Sequence, residues 1–102
     1  MNKINRKYKN YEEWLYEELQ NPVFAIGYLN EALVDEDPQV FLIALQDVLK
    51  AQQNSIATVA QKSQMSRQNV YRMLSKRGNP QWKSLNALFN TLGLQMQLLM
   101  KK

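Results

Sequence analysis

The side chains best suited to recognition lie together in residues 55–75, just after a predicted turn. They are Arg67, Gln68, Asn69 and Arg72. An arginine can donate two hydrogen bonds to guanine, and asparagine or glutamine can pair with adenine in the major groove. The alternative interpretation is that these residues form the solvated face of a helix that serves only the core.

Two short helices joined by a tight turn are predicted to position these side chains. Ser55 and Ser66 can cap the two helices, because a serine hydroxyl can accept a backbone N–H of the first helical turn. Gln64 and Met65 form the turn between them. The apolar side chains at helical spacing are Ile56, Val59, Ala60, Val70, Met73 and Leu74. The pattern predicts a helix-turn-helix whose second helix enters the DNA major groove.

A basic loop and the helix after it extend the predicted DNA surface. Residues 76–80 are predicted to form a loop, because Gly78 can take a positive φ and Pro80 blocks a continued helix. Lys76 and Arg77 stand at the start of this loop. Phosphate contacts from such a loop would fix the register of the protein on the duplex. Lys83 lies in the first turn of the last helix, where its positive charge is unfavourable beside the positive end of the helix dipole. A phosphate nearby would compensate for this repulsion.

The charges of the chain are segregated along its length. The net charge is +4, but residues 12–47 contain all nine acidic residues and no basic one. Residues 48–102 contain nine basic residues and no acidic one. The basic half suits a phosphate backbone, and the acidic half suits a basic partner. The alternative is that the two halves pair electrostatically with each other.

An acidic helix over residues 11–19 carries candidate anchors for a protein partner. Tyr11, Trp14 and Tyr16 lie among glutamates that include Glu12 and Glu17. Aromatic side chains beside charges suit a protein interface. The alternative for Trp14 is a place in the core.

Composition excludes most catalytic chemistry. The 102 residues include no cysteine and no histidine, so disulfides, thiolate nucleophiles, histidine bases and the usual zinc ligands are absent. No carboxylate spacing suggests a metal site, so we expect no catalytic residues, metal or cofactor, and a small hydrolase is poorly supported. RNA binding has little aromatic support in the basic half beyond Tyr71 and Trp82. Without a signal peptide or a membrane span, we expect a cytoplasmic protein.

Helix boundaries are signalled by caps and prolines. Asn21-Pro22 and Asp37-Pro38 each start a helix, one ending near Asp35 and the other near residues 53–54. The last helix should run from residue 82 to 92, with Gly93 as its C-terminal cap. We expect an all-α fold of five to six helices. Residues 1–20 form a basic arm and a short acidic helix, and residues 21–102 form the helix-turn-helix domain.

The C-terminal residues 94–98 alternate between apolar and polar, which is strand spacing. A lone strand needs a partner for its edge, and the same strand of a second copy would supply it and make a homodimer. A continuation of the last helix is the competing interpretation.

The chain resembles a known family over most of its length from Asn21 on. The motifs are NP..A..YLNEAL,.DP..FL.AL.DV and S...VYR.LS..GNP...L..L...LGL. The helix-turn-helix resembles the lambda-repressor-like family, and the whole is similar to HigA-like antitoxins, the antidotes of bacterial addiction modules. The turn departs from the family pattern, since Gln64 stands where glycine is usual. Residues 1–20 lie largely outside the resemblance.

This resemblance implies an antitoxin with a five-helix DNA-binding domain that represses its own operon, and a RelE-like toxin, which cleaves mRNA, as its partner. The dimer is expected from the C-terminal strand. The candidate contacts for a small basic toxin come from the acidic helix, namely Tyr11, Glu12, Trp14, Tyr16 and Glu17. The resemblance adds Ser66 to the groove contacts and Asn79 to the backbone-contacting loop. The alternative function is a stand-alone or phage-type repressor without a toxin.

Overall fold

The computed structural model describes residues 10–52, 56–75 and 79–102. In these residues six helices follow one another, and no strand is present. The helices are α1 (Tyr11–Leu19), α2 (Pro22–Leu33), α3 (Pro38–Ala51), α4 (Ile56–Ser63), α5 (Arg67–Met73) and α6 (Trp82–Leu92). The predicted all-α class is confirmed, as are the bounds of the first and last helices.

Side-chain caps start the first three helices. The side chains of Asn10, Asn21 and Asp37 each accept a hydrogen bond from the backbone N–H two residues later, at 2.8, 2.9 and 2.9 Å. A proline at the first position of α2 and of α3 costs no hydrogen bond, because that N–H has no partner within a helix. The predicted starts are confirmed, whereas α2 and α3 end about two residues earlier than expected, at Leu33 and Ala51.

The central element is α3, against which α1 and α2 pack. One face of α3 is a buried apolar stripe, and it consists of Phe41, Leu42, Leu45, Val48 and Leu49. Leu15 and Leu19 of α1 belong to the same core as Val70 of α5 and Phe89 of α6. In the second half of the chain, α4 packs against both α5 and α6. One apolar core therefore supports both the acidic and the basic parts of the chain.

The last helix ends at Gly93, as predicted. Gly93 has a φ of 75°, and the N–H of Leu94 donates to the carbonyl of Phe89 at 2.8 Å while that of Gly93 donates to Asn90 at 3.1 Å. This paired pattern is the Schellman motif. Residues 94–102 have no helix or strand, so the competing prediction of a continued helix is wrong. The predicted strand is not formed within the single chain.

None of the helices in the described part of the chain is both long enough and apolar enough to span a membrane.

Candidate nucleic-acid interface and acidic surface

The turn between α4 and α5 is held by backbone hydrogen bonds. Gln64 has a φ of 61°, in the left-handed region. The N–H of Met65 donates to the carbonyl of Ala60 at 2.9 Å, and that of Gln64 donates to Gln61 at 3.3 Å. This is again the Schellman pattern, here without a glycine, and such a backbone costs a residue with a Cβ about 1 kcal/mol. The predicted turn at Gln64 and Met65 is confirmed.

Helix α5 is anchored by one side only. Ser66 caps it as predicted, since its Oγ accepts from the N–H of Asn69 at 3.0 Å. The predicted buried stripe is confirmed, with Val70, Met73 and Leu74 no more than 5% exposed. The side chains of Ser55 and Ile56 lie outside the described residues. The short α5 thus has a fixed orientation, which determines where its polar side chains point.

The four polar residues singled out on α5 are all exposed, namely Arg67, Gln68, Asn69 and Arg72. Two of them touch, because Nη1 of Arg72 donates a hydrogen bond to Oδ1 of Asn69 at 3.4 Å. The arrangement presents guanidinium and amide groups to solvent from one rigid helix. These are the groups that can donate to and accept from base edges.

A cleft connects α5 with the start of α6. Asn69, Arg72 and Asn79 line it together, so the structure brings the described end of the loop next to the polar side of α5. Lys83, the second residue of α6, is exposed, while Lys76 and Arg77 lie outside the described residues. Gln81 and Ser84 also line the cleft and were not predicted. Their position directly after a basic loop was the signal that could have identified them.

The acidic helix α1 carries a row of aromatic rings at its surface. Trp14 is 44% exposed and Tyr11 is 67% exposed, so the alternative that Trp14 is a core residue is wrong. The ring centroids of Tyr11 and Trp14 lie 5.5 Å apart, and Trp14 meets Phe24 of α2 edge-on at 6.3 Å. Phe24 is half-buried and completes the row of aromatic rings.

Tyr16 lies on a different side of α1 from Trp14. Residues two apart on a helix point about 160° away from each other. Tyr16 is half-buried, and burial raises its pKa above the ordinary 10.0, with further increases from the nearby Asp47 and from a hydrogen bond with Glu12. The exposed Glu12 therefore accompanies Tyr16, whereas Tyr11 belongs with Trp14. Glu17, the fifth residue predicted to contact a protein partner, is also exposed. Together the five residues do not form a single face of α1.

A polar contact between α2 and α3 was not predicted. The hydroxyl of Tyr28 donates to Oδ2 of Asp47 at 2.8 Å, across 19 residues of sequence. Burial is the main reason why the pKa of Tyr28 is raised, and the Asp47 carboxylate raises it further. Burial likewise raises the pKa of Asp47. The hydrogen bond from Tyr28 and the positive charge of Lys50 partly offset this increase.

Within the ranges that the structure describes, no three acidic residues are grouped so that they could hold a metal ion.

These observations define a small all-α protein with a polar, basic helix on one part of its surface and an acidic, aromatic helix on another. Residues 9–100 match the model of a family described as probable addiction module antidote protein. A protein of Haemophilus influenzae, described as uncharacterized, is 32% identical over 71 residues, which cover 70% of this chain and 71% of that protein. No solved structure matches the chain.

The chain therefore belongs to the addiction module antidote family, whose description indicates an antitoxin role and a toxin partner. The match begins at residue 9 and includes all of α1. This corrects the expectation that residues 1–20 lie largely outside the family resemblance. The acidic helix is part of what this chain shares with the family.

Proposed function

We propose that the protein is the DNA-binding antitoxin of a type II toxin–antitoxin module. It neutralises a RelE-like toxin that cleaves mRNA by binding it directly. As a homodimer it also binds operator DNA through α4 and α5 and represses its own operon. It acts in the cytoplasm by binding alone and is not an enzyme.

The observation that carries the DNA-binding half is the asymmetry of α5. Its buried side holds Val70 and Met73 in the core, while its polar residues face solvent. Arg67 and Arg72 can each donate two hydrogen bonds to a guanine, and Gln68 and Asn69 can pair with adenine. A lambda-repressor-like helix-turn-helix places such a helix in the major groove, with two half-sites about one helical turn apart in a dimer.

The residues around α5 would hold the protein on the backbone of the DNA. Ser66, Asn79 and Lys83 are exposed, and their side chains can donate to phosphate oxygens. Lys76 and Arg77 are proposed to act with them. Such contacts supply affinity and register without reading sequence, and they make binding sensitive to salt.

The toxin half of the proposal is supported by family membership and by α1. Trp14 and Tyr11 remain exposed although they are large aromatic residues, and Glu12 and Glu17 are exposed nearby. A basic toxin would find carboxylates to pair with and aromatic side chains to pack on, and aromatic anchors often dominate binding energy. Tyr16 would contribute from the half-buried edge of the same helix.

The test is fluorescence anisotropy with labelled DNA from upstream of the gene, across a salt series. A scrambled duplex of the same length and composition is the control. We expect a preference for the upstream DNA of about a thousandfold, and an affinity that falls steeply with salt. Equal, weak binding to both duplexes would contradict operator recognition by this chain.

Co-expression with the product of the adjacent reading frame tests the toxin half separately. The antitoxin proposal predicts a stable complex in which the toxic activity is suppressed. Operator binding without any complex would instead support the alternative of a stand-alone repressor.

A further inference from the structure

Helix α2 exposes a line of residues along the side that faces away from the core. Val23 and Val34 are 80% and 78% exposed, although valine is usually buried. Gly27 and Asn30 lie between them and are exposed as well. These four residues, called the α2 stripe below, are spaced by four, three and four positions, which places them in one line along the helix. The same spacing forms the contact line between the helices of a coiled coil.

Gly27 stands in the middle of α2, and the part of the chain that the structure describes gives no reason for a glycine there. Glycine weakens the interior of a helix more than any residue except proline. The φ of Gly27 is not positive, and a Cβ added to it would meet no atom within 4 Å. A glycine that weakens its own helix beside open space is explained by a partner whose backbone lies against it.

The α2 stripe has an apolar flank on each side. Phe24 and Ile26 lie on opposite flanks, because successive residues of a helix are rotated by about 100°. On the first flank Phe24 meets Trp14 edge-on at 6.3 Å, so the stripe adjoins the aromatic row of α1. On the second flank Ile26 and Leu33, which are 42% and 45% exposed, line a cleft of about 290 Å³ together with C-terminal residues. The flanks widen the stripe into an apolar surface that continues to α1.

The charges around the α2 stripe are all negative. Glu31, Asp35 and Glu36 are exposed at the C-terminal end of α2. Glu17 and Glu18 are exposed just before its N-terminal end, and residues 12–47 contain no basic residue. An apolar surface with carboxylates at both ends attracts a partner that is positively charged.

Charge and symmetry both argue against a second copy of this chain as that partner. A two-fold axis places the same surface on both copies, so one α2 stripe would meet the other. Parallel stripes would oppose Asp35 and Glu36 with the same residues, and antiparallel stripes would oppose them with Glu17 and Glu18. Contact between the stripe and the basic half of another copy would be head-to-tail, which produces rings or filaments instead of a two-fold dimer.

We propose that a basic amphipathic helix of the toxin packs along the α2 stripe, with its backbone against Gly27. This inference rests on the toxin half of the proposed function, and it adds to α1 a second contact surface and a mode of recognition. Val23 and Val34 pack on the apolar side of the toxin helix, whose lysine or arginine side chains pair with the carboxylates at the two ends. Asn30 fixes the register, as one polar residue does in a coiled coil.

The first experiment uses two opposite effects of a single methyl group. Gly27→Ala should raise the melting temperature of the free full chain by about 3–6 °C, because alanine favours the helix and its Cβ meets open space. The same variant should bind the purified product of the adjacent reading frame about tenfold more weakly, since the methyl group would hold the two helices apart. Isothermal titration measures the affinity. Gly27→Leu should weaken it about a hundredfold for the same reason.

Asn90→Ala is the matched control for the first experiment. It adds helix propensity at an exposed position of α6, so it should also raise the melting temperature. It lies outside α1 and α2, so it should leave the affinity for the adjacent gene product within about twofold.

A second experiment maps the contact directly, which the cysteine-free chain allows without background. Val23→Cys and Val34→Cys place a thiol at each end of the α2 stripe. Mass spectrometry of the intact antitoxin chain follows the alkylation of each thiol. Alkylation should be at least about tenfold slower in the complex than in the free chain, because access controls the reactivity of a thiol. Asn90→Cys should react at the same rate in both.

The outcomes separate this docking site from the proposed function. Unchanged affinity of both Gly27 variants, or unprotected thiols at residues 23 and 34, would overturn the site while binding through α1 still stands. A lower melting temperature of free Gly27→Ala would assign the α2 stripe to a segment of the chain itself. A weaker homodimer in analytical ultracentrifugation would assign it to a second copy, and either result would overturn the proposal. A wild-type chain that does not bind the adjacent gene product would overturn the toxin half of the proposed function as well.

Discussion

Helices α1 and α5 present their polar side chains in different ways. On α1, the rings of Tyr11 and Trp14 pack against each other at the surface, and Tyr16 lies near the carboxylates of Asp47 and Glu12. On α5, flexible arginine and amide side chains extend into solvent from a helix fixed by three buried residues. The first arrangement suits a large, shaped protein partner, and the second suits the edges of bases and phosphates.

One small core supports two surfaces of opposite charge. Leu15 and Leu19 hold α1 in the same core in which Val70 and Met73 hold α5. Surface changes on either helix should therefore alter one partner's binding without unfolding the other surface.

The double variant Arg67→Ala/Arg72→Ala should lose the operator preference, a change of up to about a thousandfold, because two bidentate base contacts disappear. Anisotropy with operator and scrambled DNA measures it. Binding of the adjacent gene product should be unchanged. Lys101→Ala/Lys102→Ala removes the same charge away from α5 and should keep the preference. If the folded arginine variant also lost the toxin, the two surfaces would not be separate.

The two tryptophans provide a matched pair across the two halves. Trp14→Ala should weaken toxin binding about thirtyfold, corresponding to about 2 kcal/mol for a central aromatic anchor. Trp82→Ala, which alters a residue that is 60% exposed at the start of α6, should leave toxin binding unchanged. Isothermal titration with purified toxin distinguishes them. Equal losses for both variants would argue against α1 as the toxin surface.

Tyr28→Phe should lower the free energy of unfolding at pH 8 by about 1–2 kcal/mol, because Asp47 loses a hydrogen bond. The folded-state pKa of Tyr28 is raised above 10.0, so the unfolded chain loses this proton first as pH rises. Stability is therefore fully present below pH 10 and declines above it. Urea unfolding at pH 8 and 10.5 should show a smaller decline in Tyr28→Phe. The exposed control Tyr71→Phe should behave as wild type at both pH values.

Gln64→Gly should stabilise the protein by about 0.5–1 kcal/mol, because glycine adopts a positive φ without a Cβ clash. At the matching position of α6, Gly93→Ala should destabilise by a similar amount. Thermal unfolding measures both. Operator affinity of Gln64→Gly should stay within about twofold, since the turn keeps its geometry. A destabilised Gln64→Gly would mean that the glutamine side chain makes contacts worth more than the strain.

Local signals were sufficient to predict most helices and the orientation of α5. Asn21 and Asp37 followed by proline identify helix starts without any tertiary information, and Val70 and Met73 at helical spacing identify the buried side of α5. The exposure of Trp14 could not be predicted, because periodicity does not say which flank of a helix the neighbouring helix covers. The Tyr28–Asp47 contact depends on how α2 and α3 cross. The strand predicted at residues 94–98 was to pair with a second copy, and it is not formed within the single chain.

Gly93 relates the path of the C-terminal segment to the orientation of α5. Its left-handed backbone sets the direction in which this segment leaves α6, and α6 packs on α4, which in turn packs on α5. A change in the backbone angles at Gly93 would therefore redirect residues 94–102 relative to α5 without altering either helix. In the proposed homodimer, one glycine would thus contribute to the separation of the two α5 helices and to the spacing of the half-sites that they would bind.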